Sequence, residues 1–307
     1  MLRIARVWLR ISNRIMISSN KKMWKDVVLP DGEGAFKNVN YAGDGDFYRG
    51  FDLFHAYGQR RKKLVIDIHG GSYIYGTRIN NFRFAELFLN RGYDVLLPDY
   101  RLVKKKTGVS VKDQISDLLL MLSYLKEHKK ELGIEEDDIA LMGDSAGGHL
   151  ALFLQLVLDD SKLQQEWGID LSGLESKAVV CICPVYDLEV LIKKNILSKR
   201  SKKYLFGECC LEPGFSEKIS PRSHIASLNH PIFVSTCRND FLNFKVAGAH
   251  SDCLKADLEK EGKEFEFINL ETKKKSIAHI HNVLNREAKE SKEVNQAIYD
   301  FLEKHLG

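Results

Sequence analysis

Residues 143–148 read Gly-Asp-Ser-Ala-Gly-Gly, with an Ile-Ala-Leu-Met run before them and a Leu-rich stretch after. Glycine weakens strands and helices alike, so three of them around Ser145 need a reason. If a strand ends and a helix starts within about one residue, the serine sits on a strained turn with its hydroxyl exposed. The glycines keep strand and helix from colliding, and the N–H of Ala146 is left free at the helix N-terminus. The pattern predicts a serine nucleophile; the plainer alternative is a glycine turn with an incidental serine.

A serine hydroxyl attacks only when a base takes its proton. Of the ten histidines, topology leaves His279 and His281, in "SIAHIHNVL", because the base has to arrive on a loop after the last strand. His149 lies one turn into the apolar helix and reads as a satisfied core residue, His250 as mid-helix and His305 as surface. The base needs a carboxylate on its far nitrogen, and the chain order serine, acid, histidine puts that group between 145 and 279. Asp240, closing the run "PIFVSTCRND", is preferred to Asp187, which follows the preceding strand; a helix N-cap is its bland role. Negative charge on the attacked carbonyl oxygen needs N–H donors. Gly70 and Gly71, in "HGGSYIYG", follow a strand and carry no Cβ. Their amides together with that of Ala146 predict an oxyanion hole, with His69 orienting the loop.

The elements that must position these groups follow from hydrophobic patterning. "AFKNVNYAG" and "FYRGFDLFHAYG" read as a hairpin around Asp-Gly-Asp. Continuous apolar strands then begin near 63, 93, 138, 177, 231 and 264. Helices are expected near 80–91, over 113–128 (Ile115, Leu118, Leu119, Leu122 and Leu125 on one face), 146–158, 245–261 and at the C-terminus, where Val294, Ala297, Ile298, Phe301 and Leu302 keep step. Alternating strands and helices imply an α/β architecture, with a mostly parallel sheet covered on both faces. Ligands then sit outside the carboxyl ends of the strands, where each motif above falls. Residues 186–225, rich in lysine and interrupted by Gly207, Pro213, Gly214 and Pro221, read as an inserted cap.

Together these stretches resemble the hormone-sensitive-lipase-like branch of the α/β-hydrolases, from about residue 47 to the C-terminus. "HGGSYIYG" is similar to its oxyanion loop, "GDSAGGHLA" to its nucleophile elbow, and "PDYRL" and "PVYDL" to two of its turns. "NDFL" resembles its acid motif and "HIHNVL" its histidine motif. The resemblance implies Ser145 as nucleophile, Asp240 as acid and His279 as base, because His281 falls where the family has an aromatic residue. It implies Gly70, Gly71 and Ala146 as oxyanion donors, and a cap made of an N-terminal helix and an insertion. Ser72, Phe241 and His281 depart from the family pattern without removing a catalytic group; they put the third loop amide and the packing beside His279 in question.

Composition bounds the remaining possibilities. The first 25 residues hold seven bases and no acid. Without those seven, 39 bases face 42 acids, so the body is near neutral and has no nucleic-acid footprint. Residues 1–25 form an amphipathic helix by pattern, with Arg3, Arg6, Arg10 and Arg14 on one stripe. Packing on the body is preferred to contact with an anionic membrane. It lacks the uninterrupted apolar core of a signal peptide. The 307 residues suit one domain with embedded insertions. Six cysteines without metal-type spacing indicate a reduced, cytoplasmic protein. The expected activity is hydrolysis of small, short-acyl carboxylic esters, with no metal or organic cofactor. An amidase or aryl formamidase with the same triad, and a catalytically silent binding protein, are the competing readings. Oligomeric state is open, with a homodimer as the working expectation.

Overall fold

The computed structural model describes residues 28–306, apart from 33, 105, 135–137, 194–196 and 246. The helix expected over 1–25 lies outside the described residues. Eight strands form one sheet: β1 Ala35–Asn40, β2 Gly50–Phe54, β3 Leu64–Ile68, β4 Asp94–Pro98, β5 Ile139–Asp144, β6 Ala178–Ile182, β7 Ile232–Cys237 and β8 Phe265–Leu270, in the spatial order β1-β2-β4-β3-β5-β6-β7-β8. The hairpin β1–β2 and the β2–β4 pair are antiparallel; all other pairs are parallel.

The alternation of side chains along each strand splits the core into two layers. Leu53, Ile66, Leu96, Leu141, Val179 and Val234 face the layer that contains Val111–His128 and Ala146–Asp159. Phe54, Val65, Val95, Met142, Val180 and Phe233 face Phe82–Leu89 and Lys289–Leu306 on the other side. A strand covered on both faces has no polar side to show, which is why β3, β5, β6 and β7 are buried along their whole length. Helix Ala146–Asp159 is buried nearly all round, as its unbroken apolar composition predicts.

The helix expected over 245–261 is shorter, running from His250 to Lys260. Gly248 (φ 121°) and Ala249 (φ 50°) take left-handed conformations just ahead of it, which an α-helix of L-residues cannot propagate through. His250 is therefore the first helical residue rather than a mid-helix one. Between β6 and β7 the segment 186–225 carries the short helices Leu188–Lys193, Lys199–Phe206 and Phe215–Ile219. Among the described residues, no helix is long and apolar enough to cross a membrane.

Two buried histidines make stability depend on acid. His149 Nε2 donates to Ile219 O (2.7 Å), and its Nδ1 faces the Tyr73 hydroxyl (3.2 Å). His250 Nδ1 accepts from the amides of Tyr186 and Asp187, 3.1 Å each. Burial pushes both imidazoles down to about 4. The unfolded chain takes up these protons near pH 6.5, about the ordinary histidine value, whereas the folded chain refuses them until about 4. Stability is therefore full above about pH 6.5 and is lost as pH falls toward 4, by up to about 3 kcal/mol per histidine. Urea denaturation at pH 7 and pH 5 should show a lower midpoint at pH 5. The difference should shrink in His149→Gln; an equal drop in both proteins would remove His149 from this account.

Candidate active site

Ser145 follows β5 and caps the next helix, with φ 55° and ψ −116°. A non-glycine residue held there stores strain of about 1–3 kcal/mol. The surroundings enforce it: the Ser145 amide donates to Ile182 O (2.8 Å), and its carbonyl accepts from His149 and Val185. Gly143 has no room for a side chain, since a Cβ there would lie 2.4 Å from Gly147 O.

His279 stands after β8. Its Nε2 is 2.8 Å from Ser145 Oγ, and its Nδ1 is 2.8 Å from Asp240 Oδ1. Asp240 follows β7 and is completely buried. Its Oδ1 also accepts from the Leu242 amide (3.0 Å), and its Oδ2 from Thr236 Oγ1 (3.1 Å). Burial alone would raise this carboxyl. The facing imidazole, its hydrogen bond, the Leu242 amide and the Cys183 side chain outweigh that and hold it below the usual range. Asp187 is elsewhere, paired to Arg222 at 2.9 Å. His281 is buried, and neither of its ring nitrogens is bonded to Ser145 or Asp240 among the described residues.

The expected oxyanion donors do not all survive. The Gly70 amide donates to Asp144 Oδ1 (3.1 Å), so its hydrogen is already spent. Gly71 (φ 125°) lines the cleft with Ser145 and His279, and its amide meets no acceptor among the described residues. Ala146 is the first residue of its helix and has no intrahelical acceptor. Two of the three amides therefore remain available. After Gly71, Ser72 and Tyr73 also take positive φ, 50° and 68°. The strained loop is tied down by Tyr100 Oη to His69 O (2.7 Å) and by Gln114 Nε2 to Tyr73 O (2.7 Å).

Sequence reasoning missed the support beneath this loop. Asn81 Nδ2 donates to Asp67 Oδ1 (3.1 Å) and to Asp144 Oδ1 (2.9 Å). Burial raises the Asp144 carboxyl, and burial together with Asp144 drives that of Asp67 far up. Two buried carboxyls that face each other's charge favour the protonated form; no spacing in the chain marks 67, 81 and 144 as partners. Among the described residues, the clustered His, Cys and acidic side chains are Cys183, Asp240 and His279. Their atoms are engaged with one another and with Ser145, so a metal would have to break the Asp240–His279 bond.

An eight-stranded, mostly parallel sheet with a serine on a strained turn after β5 defines an α/β-hydrolase fold. The chain belongs to the BD-FAE family, whose pattern matches residues 51–258. The family match and the fold bear out the resemblance to hormone-sensitive-lipase-like hydrolases. The probable carboxylic ester hydrolase LipM of Mycobacterium tuberculosis is 30% identical over 145 residues, 42% of this chain and 30% of LipM. Esterase LipU of the same organism is 34% identical over 129 residues, 41% of this chain and 37% of LipU. The chain thus spans about a third of the length of these curated relatives. Among solved structures, SN3-inhibited esterase B from Lactobacillus rhamnosis superposes with a TM-score of 0.82 at 22% identity, covering 98% of this chain and 96% of that one. Propionate-bound Est2 of Thermogutta terrifontis gives 0.65 at 21% identity, covering 91% and 96%.

Proposed function

We propose that this chain is a serine carboxylesterase for small, short-acyl esters, with Ser145, His279 and Asp240 as its triad. The observation that carries the reading is the unbroken contact chain from Ser145 Oγ through both nitrogens of His279 to Asp240, 2.8 Å at each step. His279 Nε2 takes the Ser145 proton as Oγ attacks the ester carbonyl. The alkoxide oxygen is held by the amides of Gly71 and Ala146. As the tetrahedral species collapses, the imidazolium protonates the departing alcohol. Water then attacks the acyl-enzyme by the same base, and Ser145 is restored. Asp240 keeps the proton on Nδ1, so that Nε2 is free to accept. These steps call for no metal or organic cofactor. Tyr75, Ile280, Val283 and Leu284 line the cleft beside Ser145, which suits a small apolar acyl group, and a propionate complex is known for the neighbour Est2. In this reading residues 186–225 form part of the cap, and six free cysteines fit a reducing, cytoplasmic setting.

The test is a panel of p-nitrophenyl esters of increasing acyl length beside p-nitroacetanilide. Turnover should peak between acetate and butyrate and be far slower on the anilide. An anilide rate matching the esters would turn the reading to an amidase. Folded protein that no fluorophosphonate labels would turn it to a binding scaffold.

A further inference from the structure

Cys183 follows β6, directly before Pro184, and is buried. It holds φ 47° although it is not a glycine. Its amide donates to Ser235 O at 2.7 Å, which fixes the backbone to β7 in that strained form. Sγ, a carboxylate oxygen of Asp240 and a ring nitrogen of His279 all lie within 4.8 Å of one another. Sγ also accepts the amide of Ile280, the residue after His279, at 3.3 Å. The thiol hydrogen is then left to point toward the Asp240 carboxylate, an oxygen of which lies within 4.8 Å of Sγ. Burial keeps this thiol protonated, raised well above its ordinary value, so it stays a donor.

We propose that Cys183 is a positioning residue for the acid–base pair: its S–H holds the Asp240 carboxylate, while its sulfur holds the backbone that carries His279. It touches no reacting atom and acts through Asp240. The inference rests on the esterase reading for its consequence in turnover, but not for its geometry. A donor on a carboxylate spreads the negative charge and weakens its pull on the imidazolium. Removing the donor makes Asp240 a stronger acceptor of the His279 N–H and a stronger stabiliser of the imidazolium. Other ionisable groups also face the pair: Asp144 from β5, Cys237 from β7, His250 from the helix after it, and His281. None of them is replaced by a substitution at 183.

The test compares Cys183→Ala and Cys183→Ser with wild type. In Cys183→Ala, kcat/KM for p-nitrophenyl acetate should fall about tenfold with KM unchanged. The acidic limb of its pH–rate profile should move up by about half a pH unit. Cys183→Ser, whose hydroxyl is again a donor, should restore the limb and bring the rate to within about threefold of wild type. A second readout needs no turnover: the low-field proton resonance of the His279–Asp240 hydrogen bond should move downfield in Cys183→Ala and return in Cys183→Ser. A resonance and a limb unmoved in Cys183→Ala would overturn the inference, as would a serine variant that behaves like alanine. Neither result would touch the esterase reading. Wild-type protein without Ser145-dependent turnover would strike that reading and leave the resonance experiment standing.

Discussion

Ser145→Ala is expected to lower kcat/KM on p-nitrophenyl acetate by about 10⁴-fold or more and to abolish fluorophosphonate labelling, with little change in thermal midpoint. The size follows from what is removed. The hydroxyl is the atom that would form the acyl bond, and its side-chain partner is His279 Nε2 at 2.8 Å. What holds the turn is main chain: Ser145 N to Ile182 O, and the bonds that Ser145 O accepts from His149 and Val185. Alanine keeps all of these and the same strained φ. Residual turnover above water would come from amides and binding alone. Activity retained above about a tenth of wild type, with intact fold, would dismiss Ser145 as the nucleophile.

Gly147→Ala should be among the most damaging single methyl additions at the site. A Cβ at 147 would lie 2.0 Å from Ile68 O and 2.6 Å from His69 O. Both are main-chain atoms, at the end of β3 and the start of the glycine loop that follows it, so no rotamer change relieves the clash. Helix and strand must separate, and the loop that carries Gly71 moves with them. Overpacking of this kind costs about 1–3 kcal/mol and occasionally more. The thermal midpoint should drop by about 2–5 °C, and esterase turnover should fall further than the unfolded fraction explains. Differential scanning calorimetry and initial rates, taken well below the new midpoint, would check both halves. A midpoint within about 1 °C of wild type would mean that the turn is looser than its contacts imply.

Legibility in the sequence tracked how local each feature is. The strand runs at 139–144 and 178–182 and the helix after Ser145 were readable because each is nearly all apolar over its own length. The hairpin was readable from its turn residues. The helix expected from 245 starts five residues late because Gly248 and Ala249 adopt left-handed backbone, and periodicity of side chains does not report φ. Gly70 was assigned to the oxyanion hole by its place in the loop. Its amide instead donates to Asp144, 74 positions away, and no pattern of residue types says which way a glycine N–H points.

The chain by itself determined a serine on a glycine-flanked strand-to-helix turn, an α/β order of elements, and two histidines and two aspartates at the right ends of strands to serve it. Those are properties of composition and spacing within about twenty residues. Only the tertiary structure decided which partners meet. It brought His279 rather than His281 to Ser145 across 134 positions, Asp240 rather than Asp187 to His279, and the thiol of Cys183 to both. The physical reason is direction: a hydrogen bond exists only where two atoms face each other within about 3 Å, and facing is set by the packing of the whole sheet.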